Sequence, residues 1–283
     1  MASKTLETIS EQRSHGGVQG VYRHASNATN CDMTFAVYVP DRAPGEKLPV
    51  LTYLSGLTCT HANVMEKGEY RKACAEHGII LVAPDTSPRG DDVPDSPPEE
   101  YDFGKGAGFY LDATEQPWAT HYQMRSYIED ELPALIAEQF SIDTDRQSLF
   151  GHSMGGHGAL TIALRNPDRF RSVSALAPIT APTQVERRRE VFARFLGDDL
   201  AAMREYDAVA LIEDGARLPE LLVDQGTDDE FLSWLGPEKL KAACETAGIP
   251  LTLRLQEGYD HAYFFVSTFM ADHIAWHAER LKA

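Results

Sequence analysis

The sequence predicts one domain of the α/β class, in which helices cover both faces of a mostly parallel central sheet. Strand-like and helix-like segments alternate along the chain, as expected of a parallel sheet with crossover helices. The 283 residues suit a single domain spanning residues 1–283, and 43% of them are hydrophobic, which is enough for a sizeable core. The continuous apolar run at residues 79–83 is typical of a strand covered on both faces.

Seven apolar runs are predicted to be strands. Residues 34–39 end at Pro40, and residues 48–54 are followed by Ser55-Gly56. The remaining strands are predicted at residues 79–83, 148–150, 173–177, 221–223 and 251–255.

Helical patterns lie between these strands. Apolar residues recur at helical spacing over residues 127–136, where Pro133 should kink or restart the helix. The other helices are predicted at residues 155–165, 237–247 and 263–281. Residues 86–113 are rich in Pro, Gly and acidic side chains, and this loop either forms a pocket wall or is a surface excursion.

Composition narrows the classes of function. The 26 basic and 43 acidic residues give a formal charge of −17, which disfavours binding to nucleic acid or to a membrane surface. The four cysteines form no C-x-x-C pair, so no zinc site is indicated. The polar N-terminus has no signal-peptide core, and no segment approaches the ~20 apolar residues that span a bilayer. These features favour a cytoplasmic protein with free thiols.

Residues 151–155 read G-H-S-M-G, which matches the nucleophile elbow G-x-S-x-G. This motif turns a strand sharply into a helix and exposes the serine oxygen above the sheet, where glycines allow close approach. The apolar run before it and the helical pattern after it supply the required context. Ser153 is therefore the predicted nucleophile.

A serine nucleophile needs a base, and the base needs an acid that orients it. In α/β-hydrolases the acid follows the serine in the chain and lies just after a late strand. Asp224 lies at the end of the predicted strand, too early to reach across. Asp229 lies farther into the loop and is the predicted acid, with Asp228 as the alternative.

The base is predicted in the loop before the last helix, where His261 is the only histidine. His152 and His157 flank the serine in sequence, but a neighbour in the elbow is expected to point away from the serine oxygen. The oxyanion of the reaction requires backbone donors. We expect these from the N–H groups of Met154, the residue after the serine, and of Leu57 in the loop after an early strand.

Several longer blocks resemble S-formylglutathione hydrolase, also called esterase D. They include YLSGLTC at residues 53–59, GHSMGGHGAL at residues 151–160 and QEGYDH at residues 256–261. The resemblance implies the α/β-hydrolase fold and a cytosolic thioesterase that hydrolyses S-formylglutathione to glutathione and formate in formaldehyde detoxification. It assigns the triad to Ser153, Asp229 and His261, and the oxyanion donors to Leu57 and Met154.

The resemblance also implies no metal, no organic cofactor, a small-molecule thioester substrate and often a homodimer. A general short-chain carboxylesterase or acyltransferase with the same triad is the alternative. The chain departs from the family after Ala177-Pro178-Ile179, where a Trp-centred stretch is replaced by the basic run Arg187-Arg188-Arg189. These arginines either cover a helix face or attract the carboxylates of glutathione. Cys59, beside the oxyanion loop, is either a buried apolar residue or an oxidation-sensitive thiol.

Overall fold

The computed structural model describes residues 6–282, which build a nine-stranded mixed sheet with helices around it. The spatial order of the strands is β1-β2-β3-β5-β4-β6-β7-β8-β9. The strands are β1 (Glu7–Ser14), β2 (Gly17–Ser26), β3 (Cys31–Pro40), β4 (Leu48–Leu54), β5 (Ile80–Pro84), β6 (Ile142–His152), β7 (Val173–Leu176), β8 (Leu221–Gly226) and β9 (Leu251–Gln256).

Strands β4 to β9 run parallel, whereas β1, β2 and β3 are antiparallel to their neighbours. The predicted α/β fold with a mostly parallel sheet is confirmed, and each of the seven predicted strands is present. The sequence did not reveal β1 and β2. Strand β1 lies at the edge and is almost wholly exposed, so its polar sequence carries no alternating apolar signal.

The helices connect consecutive strands or cover the sheet. They are α1 (His61–Lys67), α2 (Arg71–His77), α3 (Met124–Ser126), α4 (Leu132–Gln139), α5 (Met154–Arg165), α6 (Glu186–Leu196), α7 (Leu200–Arg204), α8 (Ala208–Glu213), α9 (Leu232–Leu235), α10 (Pro237–Ala247) and α11 (Tyr263–Lys282). The helices predicted at residues 155–165, 237–247 and 263–281 correspond to α5, α10 and α11. Within residues 6–282, no helix combines the length and the apolar character needed to cross a membrane.

The helix predicted at residues 127–136 is interrupted as its proline suggested. A π-helical turn at Tyr127–Glu131 follows α3, and α4 begins at Leu132 with Pro133 in its first turn. Proline has no N–H to donate to the carbonyl four residues earlier, so a regular helix cannot continue through this position. The wider turn and the restart at Leu132 accommodate that missing bond.

The long loop at residues 86–113 packs into the core through its aromatic side chains. Phe103, Phe109 and Tyr110 are fully buried. The Phe103 ring lies 4.4 Å from the ring of Phe195 in α6 and 4.5 Å from that of Trp118. A segment with this much buried aromatic surface is a fixed part of the fold, so the surface-excursion alternative is wrong for these residues.

A chain of buried polar side chains joins α11 to the sheet. His273 in α11 contacts Asp224 at 3.3 Å through Nε2 and Ser174 at 2.7 Å through Nδ1. One turn later, His277 contacts Ser174 Oγ and Ser172 Oγ with its two ring nitrogens. The chain ends at Ser148, whose hydroxyl lies 2.7 Å from that of Ser172. Every polar atom of these serines and histidines is therefore satisfied inside the protein, as burial requires.

We expect acid to destabilise the fold through its buried histidines. Burial lowers the pKa of His157 to about 4 and holds the pKa values of His152 and His277 well below the ordinary range. Histidine in an unfolded chain titrates near ~6.5. Between pH 6.5 and about 4 the unfolded chain therefore binds more protons than the folded chain, and the free energy of unfolding falls as the pH falls.

His157→Gln tests this expectation by urea unfolding at several pH values between 7 and 4.5. Glutamine can still donate to the Phe109 carbonyl that His157 Nε2 contacts at 3.1 Å, but it does not titrate. The slope of unfolding free energy against pH should decrease by about 1.4 kcal/mol per pH unit. His15→Gln makes the same substitution at an exposed position and is the control for the loss of one histidine. Parallel pH profiles for His157→Gln and the unmodified protein would contradict this account.

Candidate active site

Ser153 lies at the turn between β6 and α5, in a backbone conformation that side-chain-bearing residues rarely adopt. Its φ is 58° and its ψ is −118°, so the carbonyl and amide groups are turned away from helical geometry. This is the strained strand-to-helix turn expected of the motif. The Ser153 N–H donates to the Leu176 carbonyl at 2.9 Å, which ties the turn to the neighbouring strand β7.

The glycines on either side of Ser153 are required by close backbone contacts. A Cβ atom at Gly155 would lie 1.9 Å from the Leu54 carbonyl oxygen at the end of β4. A Cβ atom at Gly151 would lie 2.4 Å from backbone atoms of Gly155. Any side chain at these positions would push α5 away from the sheet. The sequence therefore places glycine at these two positions because β4, β6 and α5 converge there.

Asp229 and His261 meet beside this turn, although 32 positions separate them in sequence. The His261 Nδ1 lies 2.6 Å from Asp229 Oδ2. Asp229 is buried in the loop after β8, and it also accepts hydrogen bonds from Gln225 Nε2 at 2.9 Å and the Phe231 N–H at 2.8 Å. Burial alone would raise the pKa of Asp229, but these hydrogen bonds hold its pKa below the usual value.

The neighbouring aspartates have other partners. Asp228 is exposed and contacts the Thr227 hydroxyl at 3.2 Å. Asp224 is fully buried and forms a bidentate pair with Arg254, at 2.5 Å and 2.6 Å. Of the three aspartates considered from the sequence, Asp229 is the one that contacts His261.

Ser153 and His261 line one largely apolar cavity of about 330 Å³. Its wall is formed by Gly56, Leu57, Thr58, Cys59, Tyr101, His152, Ser153, Ile179, Arg188, Phe231, Trp234, Leu235, His261, Ala262 and Tyr263. Across the described range 6–282, no hydrogen bond directly joins the Ser153 hydroxyl to the His261 imidazole. Bonds of this kind are often long in free enzymes and tighten when substrate binds.

Two backbone N–H groups adjoin Ser153. The Met154 N–H belongs to the first residue of α5, where the helix offers it no partner. Leu57 follows Gly56, and a Cβ atom at Gly56 would lie only 3.1 Å from Ser153 Cβ. The Leu57 loop therefore passes directly against the serine. In the part of the chain that the structure describes, the Leu57 N–H donates to no protein acceptor.

The loop at residues 86–113 supports this arrangement from behind. The Thr58 N–H donates to the Gly106 carbonyl at 2.9 Å, and the Tyr110 hydroxyl donates to the Ser55 carbonyl at 2.9 Å. Tyr101, half-exposed, completes part of the cavity wall. The predicted alternative in which this loop forms a pocket wall is therefore the correct one.

His152 takes a position that the sequence did not suggest. Its ring lies 4.5 Å from the ring of His261 and lines the same cavity, whereas we expected it to point away. Burial, and then the nearby His261, lower the pKa of His152 well below the ordinary range, so its ring stays neutral. Phe231 contacts His261 edge-on at 5.1 Å. The His261 imidazole is therefore packed against two rings as well as bonded to Asp229.

Of the three arginines at residues 187–189, only Arg188 lines the cavity. Arg187 donates to Asp102 through Nε at 3.1 Å and Nη2 at 2.7 Å, and Arg188 donates through Nη1 at 3.1 Å. Arg188 is buried and lines the cavity, whereas Arg189 is exposed. The alternative in which the arginines merely cover a helix face therefore fits Arg189 but not Arg188.

Cys59 also lines the cavity, and burial raises the pKa of its thiol, which disfavours the reactive thiolate. Its proposed sensitivity to oxidation stays a prediction. Across residues 6–282, no group of three or more His, Cys, Asp or Glu side chains could hold a metal ion.

Comparison with known proteins places the chain among esterases. The family model named Esterase matches residues 26–276. A relative named S-formylglutathione hydrolase from Paracoccus denitrificans (strain Pd 1222) is 54% identical and covers 97% of this chain and 98% of its own. One of the same name from Mus musculus is 49% identical, covering 98% and 99%.

A solved structure of an S-formylglutathione hydrolase from Agrobacterium tumefaciens has a TM-score of 0.95 and 58% identity, covering 97% of this chain and 99% of that chain. The fold and these matches define an enzyme of the esterase class with the α/β-hydrolase fold. Within that class, the chain belongs to the S-formylglutathione hydrolase family of serine hydrolases.

Gly158→Ala should destabilise the protein through a contact that supports the cavity. In a free helix this change would stabilise by about 1 kcal/mol. Here the new Cβ would lie 2.5 Å from the ring of Tyr110, which is fully buried. Overpacking of this kind should lower the free energy of unfolding by about 1–3 kcal/mol.

The measurement is chemical unfolding of Gly158→Ala, of Tyr110→Ala and of the double variant. With the ring removed, the penalty of Gly158→Ala should shrink, which appears as a coupling energy between the two positions. Additive effects would show that the Tyr110 ring is not what excludes a side chain at residue 158.

Proposed function

We propose that the protein hydrolyses S-formylglutathione to glutathione and formate, with Ser153, His261 and Asp229 as a catalytic triad. The observation that carries the triad is the 2.6 Å contact between His261 Nδ1 and the buried Asp229, beside Ser153 in one cavity. The substrate is supported by the relatives named S-formylglutathione hydrolase at 48–54% identity.

Asp229 determines which ring nitrogen of His261 can act as the base. Its lowered pKa keeps the carboxylate ionised at neutral pH, so it can only accept a hydrogen bond. His261 Nδ1 therefore carries the proton, and Nε2 keeps its lone pair free toward the cavity. Rotation of the Ser153 hydroxyl toward Nε2 completes the relay when substrate occupies the site.

Attack by Ser153 Oγ on the formyl carbon produces a tetrahedral oxyanion, and the hydroxyl proton passes to His261. The backbone N–H groups of Leu57 and Met154 are the proposed donors to that oxyanion. Both are unused by the described part of the protein and both adjoin Ser153. Losing one such donor typically costs about 2.7–4 kcal/mol of transition-state stabilisation.

Collapse of the oxyanion breaks the carbon–sulfur bond, and the leaving sulfur takes the proton from His261, so that glutathione departs as its thiol and the imidazole is neutral again. A formyl ester then remains on Ser153. His261 next removes a proton from water, which attacks this ester, and formate is released with the Ser153 hydroxyl restored. No metal or organic cofactor takes part in this scheme.

The same proposal sets the protein in the cytoplasm, where formaldehyde detoxification would supply its substrate. A homodimer is also part of the prediction. The alternative is a general short-chain carboxylesterase or acyltransferase with the same triad. The mostly apolar wall around Phe231, Trp234 and Leu235 would also accept small uncharged esters, which is why the substrate test below includes them.

Purified protein should hydrolyse S-formylglutathione with a higher kcat/KM than it shows for aryl acetates or for formyl thioesters of other thiols. Release of free thiol and of aryl alcohol measures the two classes on one scale. Ser153→Ala should lower kcat by about 10⁶-fold on every substrate, because the nucleophile is removed. Equal kcat/KM values across the panel would favour the general carboxylesterase, and a Ser153→Ala enzyme of near-normal rate would exclude this mechanism.

Asp229→Asn and Asp228→Asn form a matched pair that removes one negative charge at adjacent positions. Asp229→Asn should lower kcat by about 10⁴-fold, because an amide at this position stabilises the wrong tautomer of His261. Asp228→Asn should remain close to the unmodified enzyme, since Asp228 is exposed and does not contact His261. The measurement is the steady-state kcat of both variants on S-formylglutathione. Comparable losses in both variants would refute the assignment of the acid.

A further inference from the structure

A buried cation lies in the wall of the cavity that contains Ser153. Arg188, in the first turns of α6, has a side chain that is only 6% exposed, and the surface it keeps faces this cavity. Burial lowers the pKa of its guanidinium, but an arginine remains charged at neutral pH. Charged side chains are rarely this buried unless they are paired or bind a ligand.

The pairing of Arg188 leaves most of its donors unused. Its Nη1 donates to Asp102 Oδ2 at 3.1 Å, and within residues 6–282 this is its only side-chain hydrogen bond. A guanidinium carries five N–H donors. The Phe109 ring, 5.7 Å from the guanidinium carbon, contributes only a π-face. The remaining donors are therefore available to a molecule in the cavity.

Asp102 does not neutralise the cluster that contains Arg188. This buried carboxylate also accepts two hydrogen bonds from Arg187, so one negative charge is shared between two positive ones. The next acidic group, Glu190, lies 3.7 Å from Arg187 and is exposed to solvent. Asp102 and Glu190 do not line the cavity, whereas Arg188 does, so the cavity wall presents a cation in a chain whose formal charge is −17. Low-dielectric walls strengthen the attraction of such a charge for an anion.

We propose that Arg188 determines specificity by binding a carboxylate of the thiol portion of the substrate. A carboxylate matches the fork of donors on a guanidinium and can accept two parallel hydrogen bonds. The inference rests on the proposed function, because the formyl group of S-formylglutathione has no carboxylate whereas its glutathionyl portion does. Arg187 and Asp102 position Arg188 from behind, and Arg189 takes no part.

The test compares S-formylglutathione with the formyl thioester of N-acetylcysteamine, a thiol that has no charge. Arg188→Gln removes the cation, and Asp102 keeps both of its hydrogen bonds to Arg187, so no buried carboxylate is left unpaired. The variant should raise KM for S-formylglutathione by about tenfold or more, the usual consequence of losing a charged hydrogen bond. Its kcat/KM for the uncharged thioester should change far less. Arg189→Gln makes the same charge change at an exposed position and should leave the ratio of the two kcat/KM values unchanged.

Arg188→Lys keeps the positive charge and should retain part of the preference for S-formylglutathione, which guards against a variant that merely loosens α6. Equal losses on both substrates, or no loss on either, would overturn the role of Arg188. If the unmodified protein already favours the uncharged thioester, the proposed function fails and this inference falls with it. If it favours S-formylglutathione and Arg188→Gln keeps the full preference, only the inference fails.

Discussion

The site depends on how closely the start of α5 approaches the end of β4. Gly155 has no room for a side chain there, because a Cβ atom would lie 1.9 Å from the Leu54 carbonyl oxygen. This contact forces the tight turn that holds Ser153 at a φ of 58°. It also brings the segment after Leu54 beside the serine, so that the N–H groups of Leu57 and Met154 both adjoin it. The close approach of α5 to β4 thus places the Ser153 hydroxyl and the two backbone N–H groups near one another.

Across residues 6–282, every buried carboxylate accepts hydrogen bonds from nearby donors. Asp224 and Asp229 lie five positions apart at the end of β8, yet they have different partners. Asp224 is paired with Arg254 and helps to attach β9 and α11, whereas Asp229 is surrounded by His261, Gln225 and a backbone N–H. Burial opposes ionisation at both sites, and the hydrogen bonds outweigh it, so the pKa of each lies below its usual value. The first aspartate joins β8 to β9 and α11, whereas the second contacts an imidazole that lines the cavity.

Much of the fold, and the choice of three candidate site residues, could be predicted because they follow from local sequence patterns. The apolar runs of β4 to β9 and the glycines around Ser153 can be interpreted from neighbouring residues in the sequence. The order of the chain then narrowed the choice to Asp229 and His261. Strand β1 was not predicted because it is exposed and charged. Its position in the sheet depends on pairing with β2 rather than on an apolar pattern of its own. The contact of Arg188 with Asp102 could not be predicted, because these residues lie 86 positions apart and no local pattern specifies their contact.

The buried polar chain between α11 and the sheet has a direction. The Asp224 carboxylate can only accept hydrogen bonds. With His273 and His277 neutral, each group along the chain therefore donates to the neighbour that lies closer to Asp224. The hydrogens then point one way along Ser148, Ser172, His277, Ser174, His273 and Asp224. Each of these five hydrogen bonds thus has one assigned donor, and every hydroxyl along the chain is committed to a single acceptor. The carboxylate of Asp224 therefore sets the tautomers of two imidazoles and the rotation of three hydroxyls that lie farther along the chain.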